Sequence, residues 1–198
     1  NIVPQEPGVV VGHLLEMRNE PCLVHGITVK PSAEMVVKTS PRHRVERHLH
    51  YEDYILNETV PLVRHLTRYD GIGVTGCSFG AYHAMAMALR HPYTFTSCIT
   101  MSGAFDISQF LDGYVDLDAY LLNPPAFLPH LHDPHYLEQF RRNKFVLATG
   151  EWDICRKANE DFSGLLSSRG IPHSLHVWGF GSKHDWPDWR PMAAAYLP

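Results

Sequence analysis

Thr75-Gly76-Cys77-Ser78-Phe79-Gly80-Ala81-Tyr82 sets a serine between two glycines in the pattern G-x-S-x-G. A hydroxyl is a weak nucleophile at neutral pH, so a reacting serine must stand clear of its surroundings beside a base. The flanking residues supply the first condition. Ile72-Gly73-Val74-Thr75 reads as a short strand, and Ala81 to Arg90, stopped at His91-Pro92, reads as a helix. A strand-to-helix turn this tight strains its backbone, requires neighbours without bulk and lifts Ser78 Oγ off the sheet. The first N–H groups of the helix, that of Phe79 foremost, then point at whatever Ser78 attacks and donate to a developing oxyanion.

The base needs an orienting acid, and the order nucleophile, acid, base recurs with each residue on a loop at a strand's C-terminal end. Asp153 follows the apolar run Lys144-Phe145-Val146-Leu147-Ala148-Thr149 through Gly150-Glu151-Trp152. His184 follows Ser174-Leu175-His176-Val177-Trp178 through the loop Gly179-Phe180-Gly181-Ser182-Lys183. Among fourteen histidines, His173 and His176 lie in or beside a strand, and His83 and His91 belong to the helix after Ser78. His43, His48, His50 and His65 fall on or near a long helix; only His184 lies in a loop at the right end of the last strand. Asp106, after the strand Cys98-Ile99-Thr100-Met101-Ser102, is the rival for the acid; Glu151 and Asp185 are neighbours of the favoured positions.

His130-x-His132-x-x-His135 with Asp133 has the donor types of a zinc site. The spacing matches no helical two-histidine motif, and a solvated loop with no metal is the expectation. Cys22, Cys77, Cys98 and Cys155 show no paired spacing and are expected as reduced thiols in a cytoplasmic protein. The net charge of −4 without a basic run argues against nucleic acid or a membrane as partner, and no apolar stretch has the length of a membrane span.

At 198 residues the chain has the length of one domain, 1–198. Strands alternating with helices predict an α/β fold with a mostly parallel sheet flanked by helices. Residues 1–40 are atypical. Gly8 to Met17, Pro21 to Val29 and Glu34 to Lys38 can each hold a strand, with Pro31-Ser32 and Ser40-Pro41 as breakers. Helical spacing from Val45 to Tyr69 predicts a long amphipathic helix with a kink at Pro61, closed by Gly71. Residues 104–142, with Pro124, Pro125, Pro129 and Pro134, read as an irregular, lid-like insertion that walls a binding pocket. Asn159 to Arg169 and Trp189 to Leu197 complete the helices. A short N-terminal part would leave a sheet edge exposed, which a homodimer would cover.

Gly76-Cys77-Ser78-Phe79-Gly80-Ala81-Tyr82-His83 and Lys183-His184-Asp185-Trp186-Pro187-Asp188-Trp189-Arg190 resemble the small bacterial esterases of the esterase D (S-formylglutathione hydrolase-like) branch of the α/β hydrolases. Arg44 to Leu56, Gly103-Ala104-Phe105-Asp106, Phe110-Leu111-Asp112-Gly113-Tyr114 and Asn123-Pro124 share the likeness, which runs from about Pro41 to Pro198. The resemblance implies an α/β-hydrolase fold with Ser78 as nucleophile, His184 as base and Asp153 as acid. Members of that branch carry further strands before the long helix, and a loop that supplies a second oxyanion donor. Residues 1–40 do not resemble that region, and His25-Gly26 is only superficially like such a loop.

The expectation is therefore a serine carboxylesterase acting on short-chain acyl esters, without cofactor. Cys77, Tyr114 and Trp186 are candidates for contact with a small-molecule ester. The same triad also suits acyl transfer to an alcohol or thiol, and a fold that has lost activity would serve as a binding scaffold.

Overall fold

A computed structural model describes residues 15–17, 20–22, 39–67 and 70–197. Two three-residue strands, β1 (Leu15–Met17) and β2 (Glu20–Cys22), pair antiparallel. The other strand expectations before Lys38, and His25-Gly26, lie outside the described residues.

Helix α1 (Pro41–Tyr54) starts where Ser40-Pro41 reads as a breaker. Ser40 caps it, accepting from His43 N–H at 3.3 Å, and Pro41 occupies the first turn, where a missing N–H costs nothing. A π turn, Ile55–Thr59, separates α1 from α2 (Val60–Thr67), with Val60 N–H reaching back to Ile55 C=O. Pro61 has no N–H to return to Asn57, so the predicted kink takes the form of a widened turn just before the proline.

The main sheet has four parallel strands in the order β3 (Ile72–Cys77), β4 (Phe95–Met101), β5 (Lys144–Gly150) and β6 (Ser174–Trp178). Helix α3 (Phe79–Arg90) connects β3 to β4 and packs on both. Side chains alternate across a strand, and the core follows that alternation. Cys98, Phe145 and Leu147 pack on one face with Met85 and Leu89 of α3. Phe162 and Leu166 of α7 (Arg156–Ser168) join them there. Met101 and Ala148 point to the other face, against Trp189 and Met192 of the last helix, α8 (Trp186–Tyr196).

The 104–142 segment is mostly helical, not irregular. Single 3-10 turns at Ser108–Phe110 and Leu128–His130 accompany α4 (Leu117–Leu122), α5 (Pro124–Phe127) and α6 (Pro134–Arg142). The prolines that suggest loop are helix openers: Pro124 and Pro134 sit in first turns, the latter behind Asp133, whose carboxylate caps His135 N–H at 2.8 Å. Arg44 of α1 ties this segment down through Phe110 C=O, at 2.6 Å, and through an ion pair with Asp112.

Gly76 is sterically required. A Cβ there would lie 2.2 Å from Gly80 O, where the chain doubles back from β3 into α3. Gly80 itself has open space, so the demand for a bulk-free neighbour falls on Gly76 alone. Gly76→Ala is expected to lower the unfolding free energy by about 2–4 kcal/mol, because the clash is with backbone that cannot step aside. Urea unfolding of the two proteins side by side checks this; an unchanged midpoint would show that the turn is looser than its geometry implies.

Candidate active site

Ser78 sits between the end of β3 and the start of α3 with φ 56° and ψ −122°, outside the regions an L-residue ordinarily occupies. Its N–H donates to Met101 C=O at 2.8 Å, which extends the β3–β4 pairing one residue beyond the strand and holds the strained turn. The N–H groups of Phe79 and Gly80 fall in the first turn of α3 and have no carbonyl within the helix to reach. The Phe79 ring packs edge-on against Phe110, at 5.4 Å between centroids, and against His83, at 5.0 Å. Residues 104–142 thus touch the start of the helix that follows Ser78 through Phe110.

His184 Nε2 lies 2.8 Å from Ser78 Oγ, and His184 Nδ1 lies 2.9 Å from Asp153 Oδ1. Three side chains from the ends of β3, β5 and β6 therefore form one hydrogen-bonded chain. The loops after β5 and β6 are fastened to each other. Glu151 N–H donates to Trp178 C=O at 2.8 Å, Trp152 N–H to Ser182 C=O at 2.9 Å, and Gly181 N–H to the Glu151 carboxylate at 3.1 Å. A Cβ on Gly150 would come within 2.3 Å of Ser182 O, so this glycine is what lets the two loops close. Asp185 caps α8 through Trp186 N–H at 2.7 Å, fixing the residue next to His184 at a helix start.

Asp153 has no exposed side-chain surface. Burial disfavours its charge, but hydrogen bonds from His184, Ser102 and Cys155 N–H outweigh that and hold its pKa below the usual carboxylate value. His184 is pushed the other way, to about 9, by the hydrogen bond to Asp153 first and the Cys155 thiol second, against the effect of partial burial.

The rival residues are engaged elsewhere. Asp106 accepts from Ser108 N–H at 2.8 Å and from Asn123 Nδ2 at 3.1 Å, bracing the start of the insertion. His173 bonds Ser163 at 2.7 Å, His176 rests on Tyr196, and His91 bonds Glu52 at 2.7 Å. His83 and His48 stack at 4.5 Å, and burial lowers the pKa of both, that of His83 to about 4.

Of the candidates for substrate contact, Cys77 packs against the cluster of Met101, Ala148, Trp189 and Met192 on the α8 side of the sheet, and burial raises its thiol pKa to about 11. Tyr114 donates its hydroxyl to Asp116 at 2.5 Å, next to the cap of α4. Trp186 is half exposed and stands edge-on to Trp189 at 5.4 Å, which in turn stands edge-on to His184 at 4.9 Å.

His130, His132, His135 and Asp133 form no metal-sized cluster among the described residues. One compact donor set does occur there: Asp153, Cys155 and His184, with ligand atoms within 4.8 Å of one another. Two of its members, Asp153 and His184, are already bonded to each other in the chain that reaches Ser78, so this set is that pair with a thiol beside it. Cys77, Cys98 and Cys155 are free thiols.

Reading single motifs misses Ser102 and Trp189. Ser102 is fully buried with φ 56°, and its hydroxyl donates to Asp153 Oδ2. Trp189 Nε1–H donates to Ser102 Oγ at 2.8 Å. The available signal was positional: Ser102 directly follows β4, the strand between those that carry Ser78 and Asp153.

A parallel sheet flanked by helices, with a serine on a strained strand-to-helix turn and an acid and a histidine after the next strands, defines an α/β-hydrolase fold. Residues 38–197 match the Esterase family model, described as "Putative esterase". The chain belongs to this family. A ferulic acid esterase superposes with a TM-score of 0.59 at 20% identity, over 75% of this chain and 59% of that one. The S-formylglutathione hydrolase FrmB of Staphylococcus aureus gives 0.57 at 22%, over 78% of this chain and 63% of that one. The fluorophosphonate-binding serine hydrolase FphF of the same organism gives 0.52 at 24%, over 73% and 61%. At these identities the likeness shows a shared fold, and the matched region spans about three-fifths of each of these chains. No curated protein matches the sequence. Among the described residues no helix is long and apolar enough to cross a membrane.

Proposed function

We propose that this protein is a serine carboxylesterase working through an acyl-enzyme on short acyl esters. The observation that carries the reading is the unbroken hydrogen-bonded chain from Ser78 Oγ through His184 to the buried Asp153. Ser78 Oγ attacks the ester carbonyl carbon while its proton passes to His184 Nε2, and Phe79 N–H donates to the carbonyl oxygen as it gains charge. The tetrahedral intermediate collapses with loss of the alcohol, which takes the proton from His184. A water then gives its proton to His184 and attacks the acyl carbon, and the acid leaves as Ser78 recovers its hydrogen. Asp153 keeps the Nδ1–H tautomer and stabilises the imidazolium. Residues 104–142, whose Phe110 touches the Phe79 ring, are read as the pocket wall that favours a small acyl group.

The neutral imidazole is the base, and with its pKa near 9 its population falls tenfold for each pH unit below that value. Hydrolysis of p-nitrophenyl acetate, butyrate and octanoate tests the reading. The rate constant kcat/KM should rise about tenfold per pH unit from 6 to 8 and level off near 9. It should also decline from acetate to octanoate. A rate independent of pH over that range would remove His184 from the role of base, and a preference for octanoate would overturn the short-acyl assignment.

A further inference from the structure

The polarity of the bonds behind Asp153 is determined by chemistry alone. An indole N–H can only donate, so Ser102 Oγ is the acceptor of the 2.8 Å bond from Trp189. With Asp153 ionised and able only to accept, the one proton Ser102 owns goes to Asp153 Oδ2. The other carboxylate oxygen, Oδ1, accepts from Cys155 N–H at 2.7 Å and faces His184 Nδ1 at 2.9 Å. Both oxygens are thus met by donors, as suits an ionised carboxylate, and the plane of the carboxylate is held from both sides.

The backbone supports the same arrangement. Ser102 adopts φ 56°, a conformation that favours glycine, yet carries a side chain there, and its N–H is anchored to Ala148 C=O at 2.7 Å. The preceding residue, Met101, accepts the N–H of Ser78. The end of β4 therefore touches the nucleophile through its backbone and the acid through a side chain. Trp189 adds the third member, because its ring also stands edge-on to His184.

We propose that Ser102 and Trp189 are positioning residues of the hydrolytic site: a relay from α8 through the end of β4 that orients Asp153 and, through it, the proton-bearing face of His184. Neither touches the reacting atoms. The proposal rests on the esterase reading for its kinetic consequence, while the hydrogen-bond geometry stands apart from it.

The test combines kinetics with proton NMR of the resonance shared by His184 Nδ1 and Asp153, assigned by its loss in His184→Ala. Three variants are compared. Ser102→Gly removes the hydroxyl and relieves the backbone, Ser102→Ala removes the hydroxyl alone, and Trp189→Phe removes the indole N–H while keeping a ring against His184. Both Ser102 variants are expected to lose roughly 10- to 100-fold in kcat, with KM within about twofold. Trp189→Phe should lose roughly three- to tenfold. In each the downfield resonance should move upfield or broaden away. If Ser102→Ala fails to fold, Ser102→Gly and Trp189→Phe carry the test. An unmoved resonance in folded Ser102→Gly overturns the proposal whatever the rate does. A moved resonance in a protein that hydrolyses no ester keeps the relay and sinks the esterase reading instead.

Discussion

Ser78→Ala is expected to reduce kcat by about 10^5- to 10^6-fold and to abolish labelling by a fluorophosphonate, with thermal unfolding unchanged. In the proposed mechanism the side chain that is lost is the group that bonds to the acyl carbon, and His184 without it has no oxygen to deprotonate at 2.8 Å. Removal of a triad nucleophile leaves only the contribution of the oxyanion donor and of binding, so the loss is near the full effect of the triad. The backbone at position 78 keeps its strain in either protein, since alanine and serine share the same Cβ. Mass spectrometry of the labelled protein places the adduct. Retention of more than about one per cent of turnover, or labelling at another residue, would refute the nucleophile assignment.

Asp153→Asn should cost about 10^4-fold in kcat with little change in KM. Its amide is nearly the shape of the carboxylate, but one of the two oxygens becomes a donor. Cys155 N–H and Ser102 O–H each need an acceptor at that group, and so does the protonated Nδ1 of His184. Wherever the amide nitrogen points, it confronts a hydrogen already there. If it faces His184, the imidazole must move its proton to Nε2, and the base then has no free lone pair for Ser78. If it faces Ser102, the relay to Trp189 is broken. The side chain is buried, so the unmatched donor also lowers stability, by about 1–3 kcal/mol. Kinetics together with thermal unfolding separate the two effects. A variant that hydrolyses within tenfold of wild type would remove Asp153 from the site, even if it melted lower.

Local signals were strong where chemistry and backbone geometry coincide. G-x-S-x-G followed by a helical pattern located the turn, because Gly76 has no room for a Cβ and a helix must start directly after Ser78. Ser174 to Trp178 alternates and is the strand β6. The insertion misled, since a proline reads equally as a breaker or as a first-turn residue, and only a capping partner such as Asp133 decides between them. The kink near Pro61 was visible, but not that it takes the form of a π turn over Ile55–Thr59.

By itself the sequence determined the parallel α/β pattern, the strand-to-helix turn that carries Ser78 and the order in which Ser78, a carboxylate and His184 follow the strands. These depend on short-range sterics and on the period of apolar residues. The sequence favoured Asp153 over Asp106 as the partner of His184, but both follow strands, and the tertiary structure decided between them through the partners the neighbouring loops present. Ser108 and Asn123 occupy Asp106, whereas Gly150 lets the Ser182 loop close and bring His184 to Asp153. The bond from Trp189 to Ser102, 87 residues apart in sequence, was likewise invisible, since nothing in either residue's local context specifies the other. Only the stacking of α8 on the end of β4 brings them into contact.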